Sequence, residues 1–250
     1  MTEKDLFLRS VQLDWSKIPE NSYLREIPAL QDLSEIKFHQ PVTFFVGENG
    51  TGKSTLLEAI ALNLGFNAEG GTKNYRFSTY DSHSDLYQAM RLARGYRTPK
   101  AGYFLRAESF YNVATKEMDY ADGAHPSLRF HEKSHGESFL ALVQNYFKGN
   151  GVYLMDEPEA AFSPQRQLTL LAEIHKNAAQ GAQFIIVSHS PILLGMPDSE
   201  ILTFDDGPVH PCEYEETSSY AVTLGFMTHR KQMLRELLSD SELAENTDSI

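Results

Sequence analysis

Five short apolar runs punctuate the chain: Val42 to Val46, Gly102 to Arg106, Val152 to Met155, Phe184 to Val187 and Ile201 to Phe204. None shows the in-and-out alternation of a half-exposed strand, and each is too short for a buried helix. Continuous apolar strands of this kind are covered on both faces, which is the condition of a parallel sheet under helices. Between them lie segments with apolar residues at helical spacing: Thr55 to Leu64, stopped near Gly65, then Phe139 to Phe147 and Gln165 to Lys176. Near the start, Leu6, Leu8, Val11 and Leu13 alternate without keeping one phase, which predicts a strand with a bulge. Ile36 to Val46 reads as one or two strands. Trp15 to Leu30, interrupted by Pro19 and Pro28, reads as irregular. The expectation is an α/β fold with a mainly parallel sheet flanked by helices and an N-terminal antiparallel β portion.

The middle of the chain is more polar. Leu86 to Arg94 has helical spacing, and Val113 to Arg129 is irregular or weakly helical, so residues 67–147 are expected to form a small helical lobe inserted in a single domain spanning 1–238. A further helix is expected at Lys231 to Leu238. From Ser239 the chain is acidic and loses apolar periodicity, so 239–250 is expected to be an unstructured tail.

The first apolar run ends in Gly47-Glu48-Asn49-Gly50-Thr51-Gly52-Lys53-Ser54-Thr55, which fills the pattern G-x-x-x-x-G-K-[ST] between a strand and a helix. Glycines let successive N–H groups turn inward around an anion, and the helix that follows directs its positive end at the same point. Lys53 adds a mobile cation for the terminal phosphates. Ser54 is placed to put its hydroxyl on Mg²⁺, an ion that takes few protein ligands. The cofactors expected are ATP and Mg²⁺.

Two further strand ends carry polar residues. Asp156 and Glu157 follow Val152 to Met155 and would emerge where ligands of open α/β sheets bind. Asp156 would orient Mg²⁺ and Glu157 would deprotonate the attacking water, although an acidic pair there can also simply cap the next helix. His189 follows the next strand, within reach of a terminal phosphate or serving as a structural hydrogen-bond donor. Ahead of the Phe139 helix stands Ser134-His135-Gly136-Glu137. Ser134 and Glu137 have the spacing of a capping box, and Gly136 with the free N–H groups offers a second phosphate-binding helix end.

This order of motifs resembles that of ABC-type ATPases, with Gly47 to Thr55 similar to their Walker A loop, Ser134 to Glu137 to their signature, Asp156 and Glu157 to their Walker B pair, and His189 to their switch histidine. Ala160-Ala161-Phe162-Ser163 resembles their D-loop. The chain departs from the family pattern at His135, at Glu137 and at Ser163. The resemblance further implies an aromatic residue stacked on adenine, for which Tyr23 stands at a suitable distance. It also implies a glutamine-loop residue, for which Glu108, as a further metal contact, is the substitute in Arg106-Ala107-Glu108. Within the superfamily the chain resembles the RecF and SMC-like branch and the short stand-alone "predicted ATPases" of bacteria. About 80 residues separate Lys53 from Ser134, too few for a long coiled coil. The resemblance implies an ATP-dependent homodimer with two composite sites, acting on DNA or on a DNA-processing protein in repair or defence.

Charge narrows the partners. The net charge of −12 is unlike that of a protein that grips phosphate backbones over its whole surface. Arg91, Arg94, Arg97, Lys100 and Arg106 nevertheless lie close in sequence and predict a local basic patch between residues 80 and 106. One cysteine, Cys212, excludes an internal disulfide, and no run reaches the roughly 18 apolar residues of a membrane helix, so the expected location is cytoplasmic with no membrane insertion. The energising subunit of a membrane transporter remains the alternative. A GTPase is disfavoured, because the guanine-reading motif Asn-Lys-x-Asp does not occur.

Overall fold

The computed structural model describes residues 5–31, 33–72, 84–106 and 135–245, with side chains in the last segment described from Leu140 to Ser239. In order, the regular elements are β1 (Leu8–Leu13), β2 (Glu35–Lys37), β3 (Val42–Val46), α1 (Lys53–Leu64), α2 (Leu86–Ala89), β4 (Met90–Arg94), β5 (Ala101–Arg106) and α3 (His135–Tyr146). They continue with β6 (Gly151–Asp156), α4 (Pro164–Ala179), β7 (Gln183–Val187), α5 (Pro191–Leu194), β8 (Glu200–Thr203), β9 (His210–Pro211) and α6 (Ser218–Glu245).

The large sheet has the order β5-β6-β7-β3-β8-β9, parallel except for β9. All five apolar runs of the sequence are in it. Residues of β3 and β7 alternate between two cores: Phe45, Ile185 and Val187 join α1 and the N-terminal sheet, whereas Phe44, Phe184 and Ile186 join α3, α4 and α5. Burial on both faces is what removed alternation from the sequence. The second sheet, β2-β1-β4, is antiparallel, and β1 carries the expected bulge, between Leu8 and Ser10. Helix α1 packs between the sheets, against α2 and β4 on one side and β6 and β7 on the other.

Three expectations are corrected. Leu86 to Arg94 is not one helix, because after the single turn of α2 the chain extends into β4, which pairs with the open edge of β1 from Leu8↔Arg94 to Leu13↔Met90. The edge offers hydrogen bonds that local helix propensity cannot match. Within the expected lobe, β4 instead completes the N-terminal sheet and β5 the large one, while residues 73–83 and 107–134, with the stretch Val113 to Arg129, lie outside the described residues. At the other end, α6 starts well before Lys231 and runs past Ser239 to Glu245, with a break in helical geometry at His229. Residues 246–250 lie outside the described residues. The stretch from Trp15 to Leu30 holds two single turns of 3₁₀ helix, Trp15–Lys17 and Tyr23–Glu26.

One buried side chain ties the two sheets together. Gln183, fully enclosed at the start of β7, accepts from the Leu8 N–H at 2.8 Å and donates to the Leu8 carbonyl at 2.8 Å. The bulge in β1 presents both backbone groups to the amide, which satisfies them as a neighbouring strand would. Replacing Gln183 by methionine preserves volume but strands two buried polar groups. We expect a loss of about 2–4 kcal/mol in urea unfolding, since each orphaned buried group costs roughly 1–3 kcal/mol.

Candidate functional site

The site is built by register. Val187 pairs with Phe45 of β3 on one side and with Asp156 of β6 on the other, and Asp156 in turn pairs with Arg106 of β5. Four parallel strands therefore finish on one line. The ladder continues one step further, with Glu157 N–H donating to the Val187 carbonyl at 3.0 Å and Ser188 N–H to the Phe45 carbonyl at 3.3 Å. The polar residues that follow these strands emerge together at the carboxyl edge of the sheet.

Beyond β3 the chain turns through Gly47, Gly50 and Gly52, all at positive φ. At Gly52 a Cβ would lie 2.9 Å from Ile27 Cγ2 and from Leu30 Cδ1, and at Gly47 one would lie 2.9 Å from Asp205 Oδ1. Glycine is thus required there by contact as well as by conformation. Asp205 accepts from the Glu48 N–H at 2.8 Å and anchors the start of the loop. Asn49 is exposed, and Thr51 closes the turn by donating from its hydroxyl to the Glu48 carbonyl at 2.8 Å. Lys53 is buried and donates to the carbonyls of Gly47 and Glu48, each at 2.6 Å. Burial lowers the pKa of its ammonium, and the carboxylates of Asp205, Glu157, Asp156 and Glu48 oppose that shift.

Ser54 and Thr55 open α1. Ser54 Oγ donates to Asp156 Oδ1 at 2.8 Å, joining residues 102 positions apart. A hydroxyl and a carboxylate are hard oxygen donors of the kind Mg²⁺ takes, and a site with only two such protein groups suits an ion that keeps most of its water. Among the described residues there is no cluster of three or more histidine, cysteine, aspartate or glutamate side chains able to hold a metal. The pair therefore fits Mg²⁺ and does not resemble a zinc or calcium cage. The other carboxylate oxygen of Asp156 lies 3.6 Å from Arg106 Nε, and Arg106 Nη1 donates to Glu58 Oε2 at 2.6 Å.

Glu157 adopts a left-handed backbone, φ 48° and ψ 52°, which costs a non-glycine residue about 1–3 kcal/mol. That geometry lets it leave the strand and start the 3₁₀ turn Pro158–Ala161 with its side chain half exposed at the site. His189 Nε2 is 3.9 Å from Glu157 Oε1. The backbone N–H of His189 is held by Glu159 Oε1, while Glu159 Oε2 and His189 Nε2 are buried with no hydrogen-bond partner among the described residues. Burial raises the pKa of Glu159, and its bond from the His189 N–H partly offsets this. Ser190 caps α5 and donates to Gln167, which reaches back to the Phe162 carbonyl at 3.1 Å, so the loops after β6 and β7 brace each other.

The remaining sequence candidates divide. Ser134 and Glu108 lie outside the described residues. Gly136 and Glu137 fall in the first turn of α3. Tyr23 is 56% exposed, on a segment whose Ile27 and Leu30 press on Gly52. The basic patch is smaller than the sequence implied. Arg106 is turned inward to Glu58 and Asp156, and Arg97 bonds to the Asp5 carbonyl and to Asn150 over the Phe7 ring. Arg91, Arg94 and Lys100 remain on the surface, and Arg230, Lys231 and Arg235 of α6 form another exposed basic group. Sequence reading missed Asp205, Glu58, Glu159 and the inward role of Arg106, because each depends on a contact distant in sequence.

A glycine-rich loop feeding a helix, a hydroxyl bonded to a strand-end aspartate, and a glutamate and histidine on the adjoining strand ends define a P-loop ATPase of the ABC type. Comparison with known proteins agrees. Residues 69–195, just over half of the chain, match the family described as "AAA domain, putative AbiEii toxin, Type IV TA system", and the chain belongs to that family. Residues 22–109 match a second family, described as "AAA domain". The cytochrome c biogenesis ATP-binding export protein CcmA of Legionella pneumophila (strain Paris) is 26% identical over 184 residues, covering 67% of this chain and 90% of that protein. The arabinose import ATP-binding protein AraG of Pseudomonas syringae pv. tomato is 26% identical over 209 residues, covering 75% of this chain and 41% of that protein. The SMC head domain from Thermotoga maritima is similar in structure, at 14% identity and a TM-score of 0.46, over 83% of this chain and 100% of that one. The protein is an ATP-hydrolysing enzyme with Mg²⁺ as its cofactor.

Two measurements probe the site. Lys53→Ala removes the one buried cation of the loop and should abolish ATP binding in equilibrium titration, since the phosphates then meet the carboxylates of Asp205, Glu157 and Asp156 without the ammonium that faces all three. Glu159, a carboxyl whose folded pKa is raised, favours folding below its ordinary 4.5 and loses that contribution as pH rises through the folded value. Glu159→Gln should therefore be more stable than the native protein at pH 7. The advantage should disappear below pH 4.5 in thermal unfolding followed across pH.

Proposed function

We propose that the protein is a single-domain, ATP-gated homodimer in which each nucleotide is held between the phosphate loop of one subunit and the start of α3 of the other. The observation that carries this reading is the line of strand ends that brings Ser54, Asp156, Glu157 and His189 to one edge. The N–H groups from Gly47 to Thr55, with Lys53, bind the phosphates. Ser54 and Asp156 hold Mg²⁺, which when bound neutralises phosphate charge. Glu157 accepts the proton of the attacking water, and His189, hinged on Glu159, contacts the terminal phosphate. Tyr23 stacks on the adenine. Ser134, Gly136 and Glu137 complete the site from the second subunit, and Glu108 contributes beside the metal.

The reaction is ATP plus water to ADP and phosphate, and its product state reopens the dimer. We place the protein in the cytoplasm, in DNA repair, maintenance or defence, acting on DNA or on a DNA-processing protein. The family's description, which names a toxin–antitoxin system, supports defence. The exposed Arg91, Arg94 and Lys100 supply a local surface for a polyanion despite the acidic whole. Among the described residues no helix is long and apolar enough to cross a membrane. A transporter-energising role is the second reading, favoured by the likeness to the export protein CcmA and the import protein AraG, and a native pull-down separates the two by the partner recovered.

Glu157→Gln keeps shape while removing the base, which typically contributes ~10²–10⁴-fold, so ATP should bind, stay intact and hold the dimer closed. Adding Ser134→Arg places a bulky cation at the shared boundary and should return the sedimenting species to monomer with ATP still bound. A dimer that survives the second change would refute the composite site. Normal turnover in Glu157→Gln would remove Glu157 from its role.

A further inference from the structure

Arg106 lies against the Asp156 carboxylate, and its position is built rather than incidental. It ends β5 in register with Asp156, and Ser54 and Glu58 are one helical turn apart on the same face of α1. The four side chains form a chain of contacts. Ser54 Oγ donates to Asp156 Oδ1 at 2.8 Å, Asp156 Oδ2 faces Arg106 Nε at 3.6 Å, and Arg106 Nη1 reaches Glu58 Oε2 at 2.6 Å and the Ala68 carbonyl at 3.2 Å. The side chains of Arg106, Glu58 and Asp156 are 20%, 15% and 10% exposed, so solvent screens these charges only partly. A guanidinium does not lose its charge in a protein, and its fork spans two carboxylates at once. Both oxygens of Asp156 are thereby engaged, one by a hydroxyl and one by a permanent cation.

We propose that Arg106 is a positioning residue that sets how strongly the nucleotide site demands a divalent cation, by holding Asp156 against a fixed positive charge of the protein itself. The inference rests on the reading of Lys53, Ser54 and Asp156 as the nucleotide site. Two effects of opposite sense follow. The guanidinium lowers the repulsion between Asp156 and a bound triphosphate, so ATP binds measurably without metal. It also competes with Mg²⁺ for Asp156, so more Mg²⁺ is needed to reach saturation. Glu58 holds the arginine partly away from Asp156 and moderates both effects.

The test is equilibrium binding of a fluorescent ATP analogue to the full chain, in chelator and across a Mg²⁺ titration. Arg106→Gln should weaken metal-free binding and lower the Mg²⁺ half-saturation, each on the order of tenfold, the lower end of what an opposite charge does to a carboxylate at a few ångströms. Arg106→Lys keeps the charge without the fork and should recover much of the metal-free affinity. Glu58→Gln, which removes the competing carboxylate charge from the arginine, should shift the Mg²⁺ half-saturation upward, and it tests the inference even if Arg106→Gln folds poorly. Unchanged metal dependence in Arg106→Gln and Glu58→Gln would overturn the inference, as would an equal loss with and without Mg²⁺ that lysine does not rescue. Lys53→Ala separates the two levels: binding that survives it overturns the nucleotide-site reading itself, whereas binding lost there but indifferent to Arg106 overturns only the role of Arg106.

Discussion

The pairing of Val187 with Phe45 on one side and Asp156 on the other is the constraint from which the candidate site follows. In a parallel sheet, neighbouring strands run the same way, so matching the register of three strands also matches the level at which they end. A shift of one residue in β6 would turn Asp156 to the opposite face and break its bond with Ser54. The fully buried Phe44, Phe184, Tyr153 and Ile186 guard against such slippage, because each is packed in one core and a one-residue slip would force it into the core already filled on the opposite face. The N-terminal sheet presses on the other face through α1. It is secured to β7 by Gln183, whose amide takes the place of a missing strand at the bulge of β1.

Electrostatics sharpen the arrangement that register creates. Asp156, Glu157, Asp205 and Glu48 bring four carboxylates around the ammonium of Lys53, and burial of that ammonium pulls its pKa down while the carboxylates pull it up. A site this acidic would repel a triphosphate were it not for Lys53, Arg106 and the inward N–H groups of the glycine loop. Asp205 also shapes the loop as an acceptor for the Glu48 N–H. Behind Glu157, Glu159 holds the backbone of His189. A change in the turn after β6 is in this way felt at the end of β7, and the left-handed backbone of Glu157 lies at that turn.

Helix α6 lies outside these constraints. Val222, Leu224, Phe226, Met227 and Leu237 are exposed along it, and its geometry breaks at His229. Its first residues, Ser218, Ser219 and Val222, border a cleft of about 450 Å³ shared with Glu48, His189 and Asp205, so the helix begins next to the carboxyl edge of the sheet.

The strands of the large sheet, the helix after the glycine loop and the residue types at each strand end were legible in the sequence. Their signals are local: an unbroken apolar run, a glycine where φ turns positive, an acidic pair after a strand. The helix read over Leu86 to Arg94 failed because β1 supplied an open edge that no local window contains, and Arg106, grouped by sequence with surface arginines, became an inward partner of Asp156 and Glu58 for the same reason. Gln183, a polar residue at the head of an apolar strand, carried no sign of the Leu8 backbone it satisfies 175 positions away. The sequence by itself determined what each segment prefers and which chemistry each strand end carries, since backbone conformation and burial pattern are properties of neighbours in the chain. Only the tertiary structure decided which strand ends meet and which charges face one another, because those depend on register and packing between segments that the chain order does not place side by side.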